Sequence, residues 1–406
     1  MHHFLLAICT HPGVGICFKD RGWYPREAEG DSDLSGPKDD ADPSNQKGGK
    51  IYNKILANIL KTLKVSEDAR QQELALKIMT ACPELVAGYW AGAALTLEPR
   101  LSSKWITNVA FFGVVISLPV PTSCLFLPNT LQYNPTPPPL PTILENILPS
   151  SINTKSHFSK GLQSPSGLVQ HCTALALAKC LQKYESVLRV FEEAHEALEE
   201  DPEQGQWARR RREMEREVRR RVPEVGVVVG FAQQGKGKGN EVRGALLAES
   251  AQRLLWMYHR CLPSVVAEAR FDVGKLLLNF SVRSSDEKSE KEDVMEVEGE
   301  EGKDEDEDEE LGAATRLHRV QQLHVLKILK ESDQFVWAGK AGTHSSPPFS
   351  LFLHILTNHL RFRTSHKPLH PPQIPRYPSN SLPAHRTFLP PTVPPVTKHP
   401  FPIRHF

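Results

Sequence analysis

The stretch Gly167–Glu200 reads GLVQHCTALALAKCLQKYESVLRVFEEAHEALEE. Leu177, Leu181, Tyr184, Leu188, Phe191 and Leu198 recur at steps of three, four or seven, and Leu168, Cys172 and Leu175 widen the stripe. Apolar residues at that spacing share one face of an α-helix. Ser164 or Ser166 supplies an N-cap after the loop 161–165, because a short hydroxyl side chain can accept from the first free amides. The same period occurs upstream. Ile51, Ile55, Ile59 and Leu63 are spaced by four with Leu56 and Leu60 beside them, and a helix from Glu67 carries Leu74, Leu76, Ile78 and Met79 before stopping near Pro83. Further helices are expected over 246–261, 264–278 and 315–331. Only Val225–Val229 reads as a β-strand. The pattern predicts an all-α protein, an armadillo/HEAT-like α-solenoid built from helical pairs with disordered insertions and tails.

Composition says that part of the chain lies outside any core. Of 406 residues, 33 are proline, and 39% are hydrophobic with glycine not counted, against a usual proline content of about 5%. The seven cysteines are widely spaced with no CxxC pair. Neither a disulfide framework nor a zinc site follows, and a reducing compartment is expected. The apolar run Phe4–Ile8 is too short for the core of a signal peptide. Residues 105–144 carry no charged side chain, yet Pro119, Pro121 and Pro128 interrupt the run. A spanning helix needs about 20 apolar residues, so a buried helix or strand leading into a proline-rigid loop is expected, with no membrane partner.

The domain organisation expected is a disordered segment over 1–48, a helical-repeat region over 49–340 and a tail over 341–406. The repeat region holds a proline-rich loop at 119–149 and an acidic disordered insertion at 282–312. Within the insertion, 286–310 has sixteen acidic residues against three lysines, a composition that cannot bury a core. The tail has fourteen prolines, eight histidines and no carboxylate. That composition fits read-through of non-coding sequence or a genuine Pro/His-rich extension.

Enzyme signatures fail on inspection. Val227–Val229 followed by Gly230 to Lys236 resembles a phosphate-binding loop, but Gly237 stands where a magnesium-binding Ser or Thr belongs. His195-Glu196 lacks the second histidine of a zinc-protease helix. His171, Cys172 and Cys180 lie on an apolar helix, where buried cysteines are common. No catalytic residue, cofactor, metal or small-molecule substrate is assigned. The run Arg209–Arg221 holds eight arginines and three glutamates. On a helix, Trp207, Met214, Val218 and Val222 form a docking stripe, while Arg209, Arg212, Arg216 and Arg220 fall on another face. Guanidinium forks suit phosphate oxygens, which makes Arg209, Arg210, Arg211, Arg212, Arg216, Arg219, Arg220 and Arg221 the RNA-binding set. The alternative is an exposed helix stabilised by its own i,i+4 pairs: Arg209–Glu213, Arg211–Glu215, Glu215–Arg219 and Glu217–Arg221.

Several ordered segments together carry a family resemblance. They include Ala81–Trp90, Leu97–Trp105, Ile116–Pro121, Asn134–Pro139, Ile143–Pro149, Gly161–Gln163, Val169–Leu175, Trp207–Arg221, Ala267–Lys275 and Phe335–Trp337. The chain resembles the nucleolar pre-ribosomal-associated protein 1 family over about residues 50 to 340. The resemblance implies a large helical-repeat scaffold of the nucleolus that acts early in 60S subunit assembly and pre-rRNA processing. It implies binding to pre-ribosomal RNA and to assembly factors, among them a DEAD-box helicase that supplies the ATPase activity. It also implies a fragment of a longer protein. A protein–protein adaptor without direct RNA contact is the other reading.

Overall fold

A computed structural model describes residues 1–25, 51–93, 95–234, 241–269 and 305–332, which fall in one compact unit spanning Met1–Leu353. Most of those residues are helical, and the extended pairings among them are two isolated bridges, Val14 with Cys17 and Phe126 with Tyr133. The all-α expectation holds.

The 31-residue helix α8 (Gly167–Ala197) is the spine, about 46 Å long at 1.5 Å per residue. Leu177, Leu181, Tyr184 and Phe191 of its stripe are buried, as are Ala178 on one flank and Val187 and Ala194 on the other. Burial on so broad a front means that α8 is packed from several sides. Against it lie α5 (Ser103–Ile116), α6 (Leu140–Ile147), α7 (Lys155–Leu162), α9 (Gln206–Arg221) and α11 (Glu241–Cys261). Thr173 of α8 meets Gly161 of α7 so closely that a Cβ there would sit 2.3 Å from the threonine hydroxyl, which explains the glycine. The shorter helices α2 (Lys54–Thr62), α3 (Ala69–Ala81) and α4 (Glu84–Gly92) precede this group. Helix α12 (Pro263–Glu268) follows α11, and α13 (Glu305–Glu331) packs along α11. The α11–α13 seam is fixed by polar groups. Buried Glu249 accepts from Arg253 and from His324 Nε2 at 3.1 Å, and Gln321 donates to the Ala245 carbonyl at 2.7 Å.

Starts of helices follow local chemistry. Asp68 accepts from the Arg70 amide before α3, Ser102 from the Trp105 amide before α5, and Thr154 and His157 form a reciprocal capping box on α7. Helix α5 takes up the start of the uncharged run, and no helix among the described residues is long and apolar enough to cross a membrane.

Four expectations need correction. Residues 225–229 are not a strand: Val225–Gln234 is a helix, α10. Val225, Val228 and Phe231 recur at three-residue steps and are all buried, so packing overrides the β-preference of valine. Residues 1–25, read as disordered with the rest of 1–48, are folded. They form helix α1 (His2–Cys9) and then a coil that buries Cys9, Cys17 and Trp23. The proline-rich 119–149 is no simple loop, since it contains a 3₁₀ turn at Thr122–Leu125 and helix α6, whose Ile143, Leu144 and Ile147 are core residues. Finally, the acidic stretch assigned to a disordered insertion is helical from residue 305 onward, as the first turns of α13. The remainder of that insertion, the tail at 341–406 and residues 26–50 lie outside the described residues.

The N-terminal coil is held by hydrogen bonds rather than by periodic apolar residues. Buried Asn53 accepts from the Phe18 amide at 2.8 Å and donates to the Phe18 carbonyl at 2.9 Å, while its own amide donates to Glu84. Asp20 accepts from the amides of Gly22 and Glu84. Burial, reinforced by the Glu84 carboxylate, pushes the Asp20 pKa up to about 6. The unfolded value is about 3.9, so the folded chain holds this proton more tightly. Stability from Asp20 is therefore gained as pH falls from about 6 towards about 4. Comparing melting curves of the parent and Asp20→Asn at pH 5 and 7.5 checks this: the variant should be the more stable at pH 7.5 relative to the parent, with the difference shrinking at pH 5.

Candidate nucleic-acid interface

Helix α9 starts from a turn that fixes its direction. The Asp201 carboxylate accepts the amides of Glu203 and Gln204, the Gly205 amide donates to the Asp201 carbonyl, and Glu200 accepts the Trp207 amide at 2.9 Å. A Cβ on Gly205 would lie 2.7 Å from the Asp201 carbonyl oxygen, so the turn closes only on glycine. Val222, followed by Pro223, ends the helix in an extended conformation. The docking stripe is as expected from its spacing: Trp207, Met214, Val218 and Val222 are all buried. Trp207 meets Phe191 of α8 edge-on at 4.9 Å and donates its indole N–H to the Asn134 carbonyl at 2.9 Å.

The arginines divide into two groups. Arg210 donates to the Pro138 carbonyl at 3.0 Å and Arg221 to the Leu148 carbonyl at 2.9 Å; both side chains are about three-quarters buried. Arg212 donates to the carbonyls of Pro202 and Glu203, which ties the turn to the helix. Arg211 pairs with Glu192 of α8, and Arg219 with Glu268 of α12. These five hold α9 against its neighbours. Arg209, Arg216 and Arg220 face solvent. Arg209 and Arg220 pair only within the helix, with Glu213 at 3.2 Å and Glu217 at 2.9 Å, and are 78% and 76% exposed. Arg216 is exposed and has no partner among the described residues.

Of the four expected i,i+4 pairs, Arg209–Glu213 forms. Arg211 and Arg219 turn instead to Glu192 and Glu268, and Arg221 reaches Glu145 at 3.7 Å as well as the Leu148 carbonyl. Helix α9 is thus not a self-stabilised exposed rod. The sequence reading missed the clamp on the proline-rich segment. Its signal is the proline run itself, which leaves carbonyls without nearby amide donors.

Other sequence features resolve into structural roles. Gly230 lies inside α10, and the remainder of the phosphate-loop resemblance, 235–240, lies outside the described residues. His195 sits 3.7 Å from Glu200, and His171 bonds the Ser250 hydroxyl at 2.7 Å, its pKa lowered by burial. Burial raises the thiol pKa of Cys172 and Cys180.

Residues 1–108 match the family model described as Ribosome 60S biogenesis N-terminal (Npa1). Over these residues the chain is similar to the Npa1 family. Similarity continues beyond them. Nucleolar pre-ribosomal-associated protein 1 of Saccharomyces cerevisiae is 25% identical over 223 residues, 54% of this chain and 12% of that protein. The human protein of the same name is 25% identical over 185 residues, covering 45% of this chain and 7% of its own length. The mouse protein is 22% identical over 309 residues, 68% of this chain and 12% of its own. The chain thus spans about a tenth of the length of these curated relatives. No solved structure matches it. The Npa1 match takes in residues 1–25, which the sequence reading placed outside the resemblance, in keeping with their packed conformation.

Replacing Arg210 or Arg221 with Met should destabilise the chain by about 1.5–3 kcal/mol each, the usual worth of a charge-assisted hydrogen bond. Replacing Arg209 should change stability by less than about 0.5 kcal/mol. Urea unfolding followed by circular dichroism measures both.

Proposed function

We propose that this chain is part of a non-enzymatic nucleolar scaffold in early assembly of the large (60S) ribosomal subunit and in pre-rRNA processing. Support comes from the Npa1-type match and from relatives named as nucleolar and pre-ribosomal. The helices would serve as one portion of an armadillo/HEAT-like array in the longer protein, presenting surface to assembly factors that include a DEAD-box helicase.

The RNA contact in this proposal is the solvent face of α9. The observation that carries it is the division of the arginines. Five are engaged in the fold, while Arg209, Arg216 and Arg220 present cations outward on a helix whose apolar stripe is fully buried. A cationic face fixed on a rigid helix binds phosphates with little loss of backbone entropy. The competing reading, a protein adaptor without direct RNA contact, draws on the same division. With five of eight arginines engaged by carbonyls and carboxylates of the chain itself, little charge remains for RNA.

The variant Arg209→Glu/Arg216→Glu/Arg220→Glu separates the two and spares the structural arginines. For RNA binding through this face, the slope of log affinity against log salt should fall by about 2, at roughly 0.7 per single-strand phosphate contact. Unchanged affinity and slope in filter binding, with the fold intact by circular dichroism, would favour the adaptor.

A further inference from the structure

A second concave surface lies beside the arginine helix, on the other side of the proline-rich segment. It is a cleft of about 1090 Å³ between the N-terminal coil and residues 122–139. Tyr24, Tyr52 and Phe126 contribute aromatic rings, and Lys19 and Arg21 contribute cations; among the described residues of its lining Asp20 is acidic. The Tyr24 hydroxyl donates to the Thr136 carbonyl at 2.8 Å, joining the two sides. Phe126 packs on Tyr133 in a tilted ring contact, with centroids 4.5 Å apart, and Tyr133 in turn meets Trp207 edge-on. The ring at the cleft wall is therefore the end of an aromatic chain running back to Phe191 of α8.

The cleft adjoins the arginine face through the backbone. Pro139 lines the cleft, and the next residue, Leu140, lines a shallow depression with Arg216, Arg219 and Arg220 and the carboxylates of Glu213 and Glu217. Cations thus line both the cleft and the neighbouring depression, and aromatic residues line the cleft.

We propose that this cleft binds single-stranded RNA, with bases stacked against Tyr52 and Phe126 and the backbone passing from Lys19 over Pro139 to Arg216 and Arg220. Single-strand sites combine a cationic track with aromatic platforms, and a base face hidden in a duplex cannot use the platforms. A proline-rich peptide could also lie on aromatic rings, but it would have no use for the cations of both the cleft and the depression. The proposal rests on the RNA reading of α9, extending it to a second contact and to single strands.

The test uses the full chain with a labelled 12-nucleotide oligouridine and a duplex RNA of equal length, read by fluorescence anisotropy. Tyr52→Leu should weaken oligouridine binding by about fivefold or more, the loss of one stacked base. Tyr52→Phe should retain it, Lys19→Glu should weaken it, and duplex binding should respond little to Tyr52→Leu. Ultraviolet crosslinks should map to peptides containing Tyr52 or Phe126. Crosslinks confined to Gln206–Arg221, with the Tyr52→Leu and Lys19→Glu variants binding like the parent, would overturn the cleft and leave the arginine face standing. Indifference to the triple arginine variant combined with sensitivity to Tyr52→Leu would retain the cleft and remove the arginine face. Equal binding of duplex and single strand by the parent would overturn the single-strand proposal.

Discussion

A proline-rich segment has more carbonyl acceptors than amide donors, and burying it requires donors from elsewhere. Residues 118–149 meet this constraint with long side chains. The carbonyls of Leu118, Asn134, Thr136, Pro138, Glu145 and Leu148 receive Lys183, Trp207, Tyr24, Arg210, Trp90 and Arg221, in that order. The donors come from the N-terminal coil and from α4, α8 and α9, so the segment knits together parts of the chain that are distant in sequence. The Lys183 ammonium illustrates what such burial costs. It lies over the Trp23 ring at 5.8 Å, and burial lowers its pKa to about 8.

This arrangement ties the candidate site to the fold. Arg210 and Arg221 hold down the proline-rich segment, and in doing so they fix the azimuth of α9. Arg209, Arg216 and Arg220 then point away from the protein because the buried stripe and the engaged arginines leave them no other direction. The wall of the adjoining cleft is set by the same contacts, since Asn134 and Thr136 line it and are themselves bonded to Trp207 and Tyr24. Structural and outward-facing arginines are thus interleaved on one helix. Reversing the charge of the whole cluster would disturb the fold together with any RNA contact.

Much of the helical architecture was legible in sequence. The spine α8, the helix at Ala69–Ala81 and the buried face of α9 follow from the 3.6-residue period alone. What misled was order without period. The N-terminal coil is fixed by single buried residues, Cys9, Cys17 and Trp23, and by Asn53 bridging 35 positions back to Phe18. Val225–Val229 resembles a strand because valine favours extended backbone, whereas its three-residue burial spacing is helical. The fate of the arginines was beyond local reading: the partners of Arg211, Arg219 and Arg210 are 19, 49 and 72 positions away. Charge pattern along a helix reports which pairs can form within it, and tertiary carboxylates and carbonyls compete for the same guanidinium groups.

Hydrogen–deuterium exchange of the parent chain and of the triple variant Trp207→Phe/Arg210→Met/Arg221→Met tests the central constraint most directly. Trp207→Phe keeps a ring in the core while removing its N–H, so the variant takes away three carbonyl partners with limited loss of packing. If side-chain donors hold the proline-rich segment, amides of α6 and of the 3₁₀ turn at Thr122–Leu125 should lose protection, while those along the α11–α13 seam keep theirs. Unchanged protection in α6 would contradict the account, because the segment would then be held without these side-chain donors.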